Sequence, residues 1–368
     1  MVQLTSFIPA DSGARRGACP TLDAPMATGD GLLVRFRPVA GELDIAALSG
    51  IARAAQRFGN GRIEITSRGS VQLRGLSSDT APSCASALRD AIAIETGIPV
   101  ETPPLAGLLP DTQKLLDIAA TLRRALIGFA GRVPAKTSIV IDDGTLAGIG
   151  ADIRIRPATE GWRIDGAHFT DADALVFHVK AALAGLCKRR PGRAAEASEF
   201  PLGAGQIGEL RYFALALPQG GVEAGALLDL AALLETLGIT SLRLGPMRRL
   251  FLIGADIADT DPFTRFGLIA SPADPRAQIA SCAGGRGCAS GRFDAAALGE
   301  RVAQAAPGLS IAICACEKRC VRAGLLSLTG HADGFRLEGQ GIARSFADAD
   351  AALAFLAGRK DPALGAAA

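Results

Sequence analysis

The chain has 368 residues, 49% of them apolar and 21% charged, with a net charge of +2. This excludes a disordered chain and the strongly basic field of a nucleic-acid or anionic-membrane binder. Only 5% of residues are aromatic, so the core is expected to be built from Ala, Leu, Ile and Val.

The N-terminal segment, 1–28, carries no apolar stretch of the secretory kind, and no later run is long enough to span a bilayer. A cytoplasmic protein with reduced thiols is expected, with neither membrane nor nucleic acid as a partner. At 29–90, a strand ("LLVRFRP"), a Gly turn, an amphipathic helix closed by Gly59 and two short alternating strands predict a β-α-β-β unit, half of a ferredoxin-like sheet. An α/β lobe is expected at 91–190, with a strand ending in "DDG" and a helix "DADALVFHVKAALAG". The stretch 191–207 reads as a linker. A second half-domain follows at 208–262 and a second α/β lobe at 263–368.

The second half repeats the first. Residues 41–75 fall on 220–254 without a gap, pairing Gly41 with Gly220, Gly59 with Gly238 and Gly75 with Gly254. The alternating Ile63, Ile65, Val71 and Leu73 fall on Leu242, Leu244, Leu250 and Leu252. Residues 161–185 resemble 334–358 in the same way. An α+β protein built by internal duplication is predicted.

Cysteines break the symmetry. Cys282 and Cys288 form C-x5-C; Cys316 and Cys320 form C-x3-C after a helix-and-strand pattern that returns the chain to its start. In a reducing compartment such a group reads as metal-binding before it reads as disulfides. C-x5-C is wide for a structural zinc knuckle, and four thiolates suit an iron–sulfur cubane; a cluster, a zinc and unligated thiols all remain open from spacing. Gly284, Gly285 and Gly287 allow close backbone approach, and Arg286, Lys318 and Arg319 offset thiolate charge. Cys314 and Cys19 read as packing residues. The matching loop of the first copy holds Asp142 and Asp143, in a common turn pattern. His168, His178 and His331 show no paired ligand spacing; His178 is expected to pack and His331 to lie in a turn.

Lys accounts for only six of the 39 basic residues. Arg makes bidentate forks to carboxylates, so individually placed arginines are the informative ones. Arg35 and Arg37 share one strand face, Arg68 and Arg74 lie on or beside a hairpin, and Arg248 and Arg249 sit near the equivalent second turn.

The two cysteine pairs, the half-domain ending "TSRGSVQLRG" and the duplicated order together resemble the sirohaem-dependent nitrite and sulfite reductases over nearly the whole chain. That resemblance implies a [4Fe-4S] cluster on Cys282, Cys288, Cys316 and Cys320, the last of which also bridges to the haem iron in those reductases. It implies catalytic roles for Arg68, from the T-x-R motif, and Lys136, in "VPAKTS". Two cationic positions of the reductases are missing: Ser138 and Ile98 stand in their places, which argues against oxyanion reduction. "RRGACPTLDAPMATGDGLLVRFRP", "PPLAGLLPD" and the "DDG" loop resemble more closely the precorrin-3B synthase branch. That branch implies O2-dependent hydroxylation of precorrin-3A with lactone formation, an electron donor tracing to NADH, and a mononuclear non-haem iron whose ligands are not marked. The substrate's carboxylates would then meet Arg35, Arg37, Arg74, Arg248 and Arg249. The alternatives are a sirohaem-dependent reductase, which would carry sirohaem, and a non-catalytic tetrapyrrole or metal carrier with a structural zinc.

Overall fold

A computed structural model describes residues 19–129, 132–134, 137–186, 201–257, 260–321 and 325–359. The first half-domain runs β1 (Met26–Thr28), β2 (Gly31–Phe36), β3 (Glu42–Asp44), α1 (Ile45–Phe58), β4 (Arg62–Ile65), β5 (Val71–Leu76) and α2 (Thr80–Ala91). The first lobe follows as β6 (Val100–Glu101), α3 (Gln113–Ala125), β7 (Ile139–Ile141), β8 (Ile153–Pro157), β9 (Trp162–Ile164), β10 (Ala167–Phe169) and α4 (Ala172–Leu186). The second half-domain holds β11 (Gly203–Ile207), β12 (Leu210–Ala216), β13 (Gly221–Glu223), α5 (Ala224–Thr236), β14 (Ser241–Gly245), β15 (Arg249–Ile253) and α6 (Asp261–Arg265). The second lobe comprises β16 (Ile279–Ser281), α7 (Gly284–Gly287), α8 (Ala295–Ala305), β17 (Ile311–Cys314), β18 (Leu326–His331), β19 (Gly334–Gly339), β20 (Ile342–Phe346) and α9 (Ala349–Ala357). The expected linker lies outside the described residues as far as 200, and its last residues are strand β11.

The duplication is visible in the sheets. The first half-domain sheet has the order β1-β2-β5-β4-β13 and the second β11-β12-β15-β14-β3. Each borrows its last strand from the other half: β13 pairs with β4, and β3 with β14. This exchange was not foreseen, because three-residue strands carry no readable alternation. Paired left-handed turns produce it, with φ of 55° and 70° at Ala40 and Gly41, and 53° and 79° at Gln219 and Gly220. At Gly41 a Cβ would stand 2.5 Å from the Leu244 carbonyl oxygen, so glycine is needed there on both counts. The two helix-closing glycines differ. Gly238 is left-handed at φ 68°, as a helix C-terminus favours. Gly59 is extended, at φ −120°, and is required instead because a Cβ would meet the Arg74 carbonyl oxygen at 2.3 Å.

α1 and α5 pack on each other, and both half-domains share one aliphatic core that includes Val34, Ile51, Leu73, Leu230 and Leu252. Fully burying one such Leu contributes about 1.5–3 kcal/mol. Asp44 starts α1 by accepting from the Ala47 N–H at 2.7 Å. Each lobe is a five-stranded sheet with its own core, and in both the first three strands run parallel before the sheet turns antiparallel. No helix among the described residues is long and apolar enough to cross a membrane.

Candidate active site and metal centre

The four cysteines of the two motifs lie in the loops that leave the adjacent parallel strands β16 and β17. Crossover topology puts such loops at one end of a sheet, where ligand sites collect. The loops are stitched together. The Cys282 N–H donates to the Ile313 carbonyl at 3.0 Å, and the Arg292 N–H to the Ala315 carbonyl at 3.0 Å. The Lys318 ammonium donates to the Ser290 hydroxyl at 2.6 Å. The Ala315 N–H points at the Cys282 sulfur at 3.2 Å, the kind of bond that tunes a metal-bound thiolate. Glycines let the first loop fold on itself: a Cβ on Gly291 would meet the Gly284 carbonyl carbon at 2.4 Å. A shallow hollow of about 400 Å3 opens beside Cys316, between Ser290, Arg292 and Lys318.

Cys314 is buried at the end of β17 and donates to the Val321 carbonyl at 3.4 Å. Burial pushes its thiol up to about 11, and the nearby Cys282, Cys320 and Cys316 add to that push. Its burial at the end of β17 is in keeping with a packing role. Cys19 is half-buried, and Cys84, wholly buried, is also pushed up to about 11 by burial. Among the described residues the cysteines form no disulfide.

Among the described residues no three His, Cys, Asp or Glu side chains converge on a single ion. A mononuclear iron therefore has no fitting ligand set there. The four cysteines of the two motifs stand on two hydrogen-bonded loops beside a glycine-rich turn, and thiolates are the donor type that an iron–sulfur cluster takes.

In the first lobe the matching loop is a closed carboxylate turn. Asp142, 1% exposed, accepts from the Gly144 and Leu146 N–H groups at 2.9 and 3.0 Å and pairs with Arg154 at 2.5 Å. Asp143 accepts from the Thr145 hydroxyl at 2.6 Å. His178 packs on Phe169, with ring centroids 4.8 Å apart. His331 is the last residue of β18 and not in a turn; it lies 3.2 Å from Glu317 of the cysteine loop.

The arginines fall into three places. The hairpin turns of the two half-domains abut: the Met247 N–H donates to the Ser67 carbonyl at 2.8 Å, which brings Arg68 and Arg248 to the pseudo-twofold junction. Arg68 pairs with the buried Glu101 at 2.5 Å and donates to the Gly150 carbonyl at 2.6 Å. Arg248 is left-handed, at φ 62°, and its side chain lies along Gly220. On the outer face of the first half-domain sheet, Arg35 donates to Gln72 at 2.8 Å, and Gln72 donates to Glu64 at 2.6 Å. Arg74, on the same face, binds Asp30 through two nitrogens at 3.0 and 3.1 Å. Arg37 faces the first lobe, 3.8 Å from Glu95, which also pairs with Arg123 at 2.6 Å. Burial raises the Glu95 carboxyl above the ordinary range, against the pull of both arginines. Arg249 is largely buried near Tyr212; burial lowers its pKa, and the Tyr212 hydroxyl offsets part of this.

Lys136 lies outside the described residues. Ser138 is capped by Asp152, which accepts from its N–H at 2.8 Å, and Ile98 is packed in the first lobe's core. Neither position offers a cation. Sequence reasoning missed the carboxylates that hold the arginines, Asp30, Glu64, Glu95 and Glu101. They are remote in sequence and carry no motif.

Residues 24–91 match the nitrite/sulfite reductase ferredoxin-like half domain. The fold is similar to that of the NirA protein of Mycobacterium tuberculosis, with a TM-score of 0.64 over 89% of this chain and 79% of that one, at 17% identity. A curated protein of a Sinorhizobium species, named precorrin-3B synthase, is 35% identical over 91% of this chain and 85% of its own length. On that similarity, the chain belongs to the precorrin-3B synthase family, built on the nitrite/sulfite reductase fold.

Proposed function

We propose that the protein is an oxidoreductase of cobalamin biosynthesis that converts precorrin-3A to precorrin-3B. The observation that carries this reading is the 35% identity to a precorrin-3B synthase along 91% of the chain. The reaction adds one oxygen atom of O2 to the macrocycle, releases the other as water with two electrons and two protons, and closes a lactone from a neighbouring acetate.

Cys282, Cys288, Cys316 and Cys320 would hold a [4Fe-4S] cluster, and when bound it supplies electrons singly from a donor that traces to NADH. The protein's own residues bind and orient the substrate. Arg68 and Arg248, on turns that abut at the pseudo-twofold junction, would offer guanidinium forks to substrate carboxylates, and Arg35, Arg37 and Arg249, placed elsewhere on the half-domains, are the further arginines of this reading. Lys136 is the further cation expected at the reacting face. Ser138 with its Asp152 cap, and Glu101 beside Arg68, make the site poorer in positive charge than small oxyanions need. This disfavours nitrite or sulfite as the substrate. The second iron remains without protein ligands among the described residues, and no step is assigned to it.

The test is direct. The purified protein, reconstituted with iron and sulfide, is given precorrin-3A, a reductant and isotopically labelled O2, and the product is read by mass spectrometry. One labelled oxygen in a lactone product, with no turnover of nitrite or sulfite, is expected. Turnover of either oxyanion without precorrin-3A conversion would replace this reading by the reductase one.

A further inference from the structure

We infer that Arg74 serves the cysteine loop and not the substrate: it is the positioning residue that registers the Cys288 segment on the first half-domain sheet. Its side chain is only 5% exposed. Nε and one terminal nitrogen bind the two oxygens of Asp30, and that terminal nitrogen also donates to the Gly287 carbonyl, next to Cys288. The remaining nitrogen lies 3.6 Å from Glu64. All three nitrogens thus face protein oxygens, and a substrate carboxylate would have to displace a buried pair.

The surroundings are shaped for this contact. Asp30 sits in the β1–β2 turn, where Thr28 donates to it at 2.8 Å and Asn60 at 3.0 Å. A Cβ on Gly287 would strike the Arg74 guanidinium at 2.6 Å, and a Cβ on Gly29 would strike the Cys288 carbonyl carbon at 2.7 Å and the Ala289 nitrogen at 2.5 Å. Glycine is therefore needed at 29, where the clash is with backbone, while a side chain at 287 would push the guanidinium out of its contact. The repeat supplies a control. The position equivalent to Arg74 in the second half is Ile253, and there the covering loop is apolar and carries no cysteine. At this repeat position a guanidinium stands in the half where a cysteine loop docks and an isoleucine in the half where none does.

The ordering of the loop stands on these contacts alone; its meaning for electron delivery rests on the cluster reading above. Hydrogen exchange and thiol alkylation on the metal-free chain, comparing the native protein with Arg74→Met, Arg74→Lys and Gly29→Ala, test it. In Arg74→Met, exchange over 284–291 should quicken about tenfold, as losing one charge-assisted hydrogen bond implies. Cys288 should be alkylated faster while Cys282 is unchanged. Arg74→Lys should recover part of the protection, and Gly29→Ala should give the same signature with Arg74 intact. After reconstitution, the reduced Arg74→Met protein should show an altered electron-spin resonance spectrum, while precorrin-3A affinity stays within about twofold. Unchanged exchange in both Arg74→Met and Gly29→Ala overturns the inference. So does a tenfold loss of precorrin-3A affinity with the loop still protected, which would make Arg74 a substrate clamp. Should Arg74→Met fail to fold, Gly29→Ala decides by the same exchange readout. If the native chain takes up no iron, the cluster reading falls, but the exchange result still decides the role of Arg74.

Discussion

The outer faces of the two half-domain sheets occupy equivalent places, yet one carries a polar row at its centre and the other an apolar patch, with Arg243 and Arg249 on the strands beside it. On the first, Arg35, Gln72, Glu64 and Arg74 form a hydrogen-bonded row that meets the cysteine loop of the second lobe. On the second, the equivalent residues include Ala214, Phe251 and Ile253, and Leu105, Leu108 and Leu109 of the first lobe lie over them. Each lobe thus covers the sheet of the opposite half with the loop before its first long helix. One of these contacts is a hydrophobic seal, and the other is a polar contact with the loop that carries two of the candidate ligand cysteines. The same split separates the loops beyond: the buried Asp142–Arg154 pair closes one, and the other presents thiols. A site at a pseudo-twofold junction therefore needs only one reactive side, and the other is released to supply stability.

The sharpest test of this division is on the reactive side. Cys282→Ala, Cys288→Ala, Cys316→Ala or Cys320→Ala should each reduce bound iron and labile sulfide to background. Cys314→Ala, which removes a thiol buried at the end of β17, should keep both. Iron retained in Cys320→Ala would break the four-ligand assignment. On the sealing side, Phe251→Gln, which copies Gln72 into the oily face, should cost about 3–5 kcal/mol in denaturant unfolding, since it loses a buried ring and buries an amide. Asp142→Ala should cost a similar or somewhat smaller amount, about 3 kcal/mol, by leaving Arg154 uncompensated, with iron content unchanged. An effect on iron would show that the two loops are not divided as described. Arg68→Ala should weaken precorrin-3A binding by about 1.5–3 kcal/mol, measured by titration under nitrogen. The smallest effect concerns pH. Burial acts to raise the Asp30 carboxyl, but hydrogen bonds from Arg74 and Thr28 outweigh it and hold the group below the ordinary aspartate value. Its contribution is thus fully present above that value and fades as pH falls below it. Exchange over 284–291 should accelerate in that acid window, and Asp30→Asn should remove the pH dependence.

Much of this was legible in the sequence because duplication writes itself as spacing. The ungapped match of 41–75 with 220–254 marked both half-domains, and two cysteine pairs flanking one helix-and-strand pattern marked two loops that the fold brings to one end of a sheet. What escaped was whatever depends on the far side of a contact. Arg74 was legible as an arginine beside a hairpin, given to the substrate by the resemblance; nothing in the local pattern reveals Asp30 or Gly287 as its partners. The oily character of Phe251 and Ile253 was readable, but not that Leu105 and its neighbours cover them. β3 and β13 were invisible because three residues are too few to show a period.

That exchange of short strands bears on how the chain comes to be folded. While the protein is being synthesised, the first half-domain emerges with its β4 edge unpaired, and its partner β13 leaves the ribosome only after the whole first lobe. An open edge is an invitation to pair with another chain. The first half of the molecule is thus a nascent sheet waiting on its own duplicate, and a transcript truncated before residue 221 would leave a sticky fragment and not a smaller folded protein.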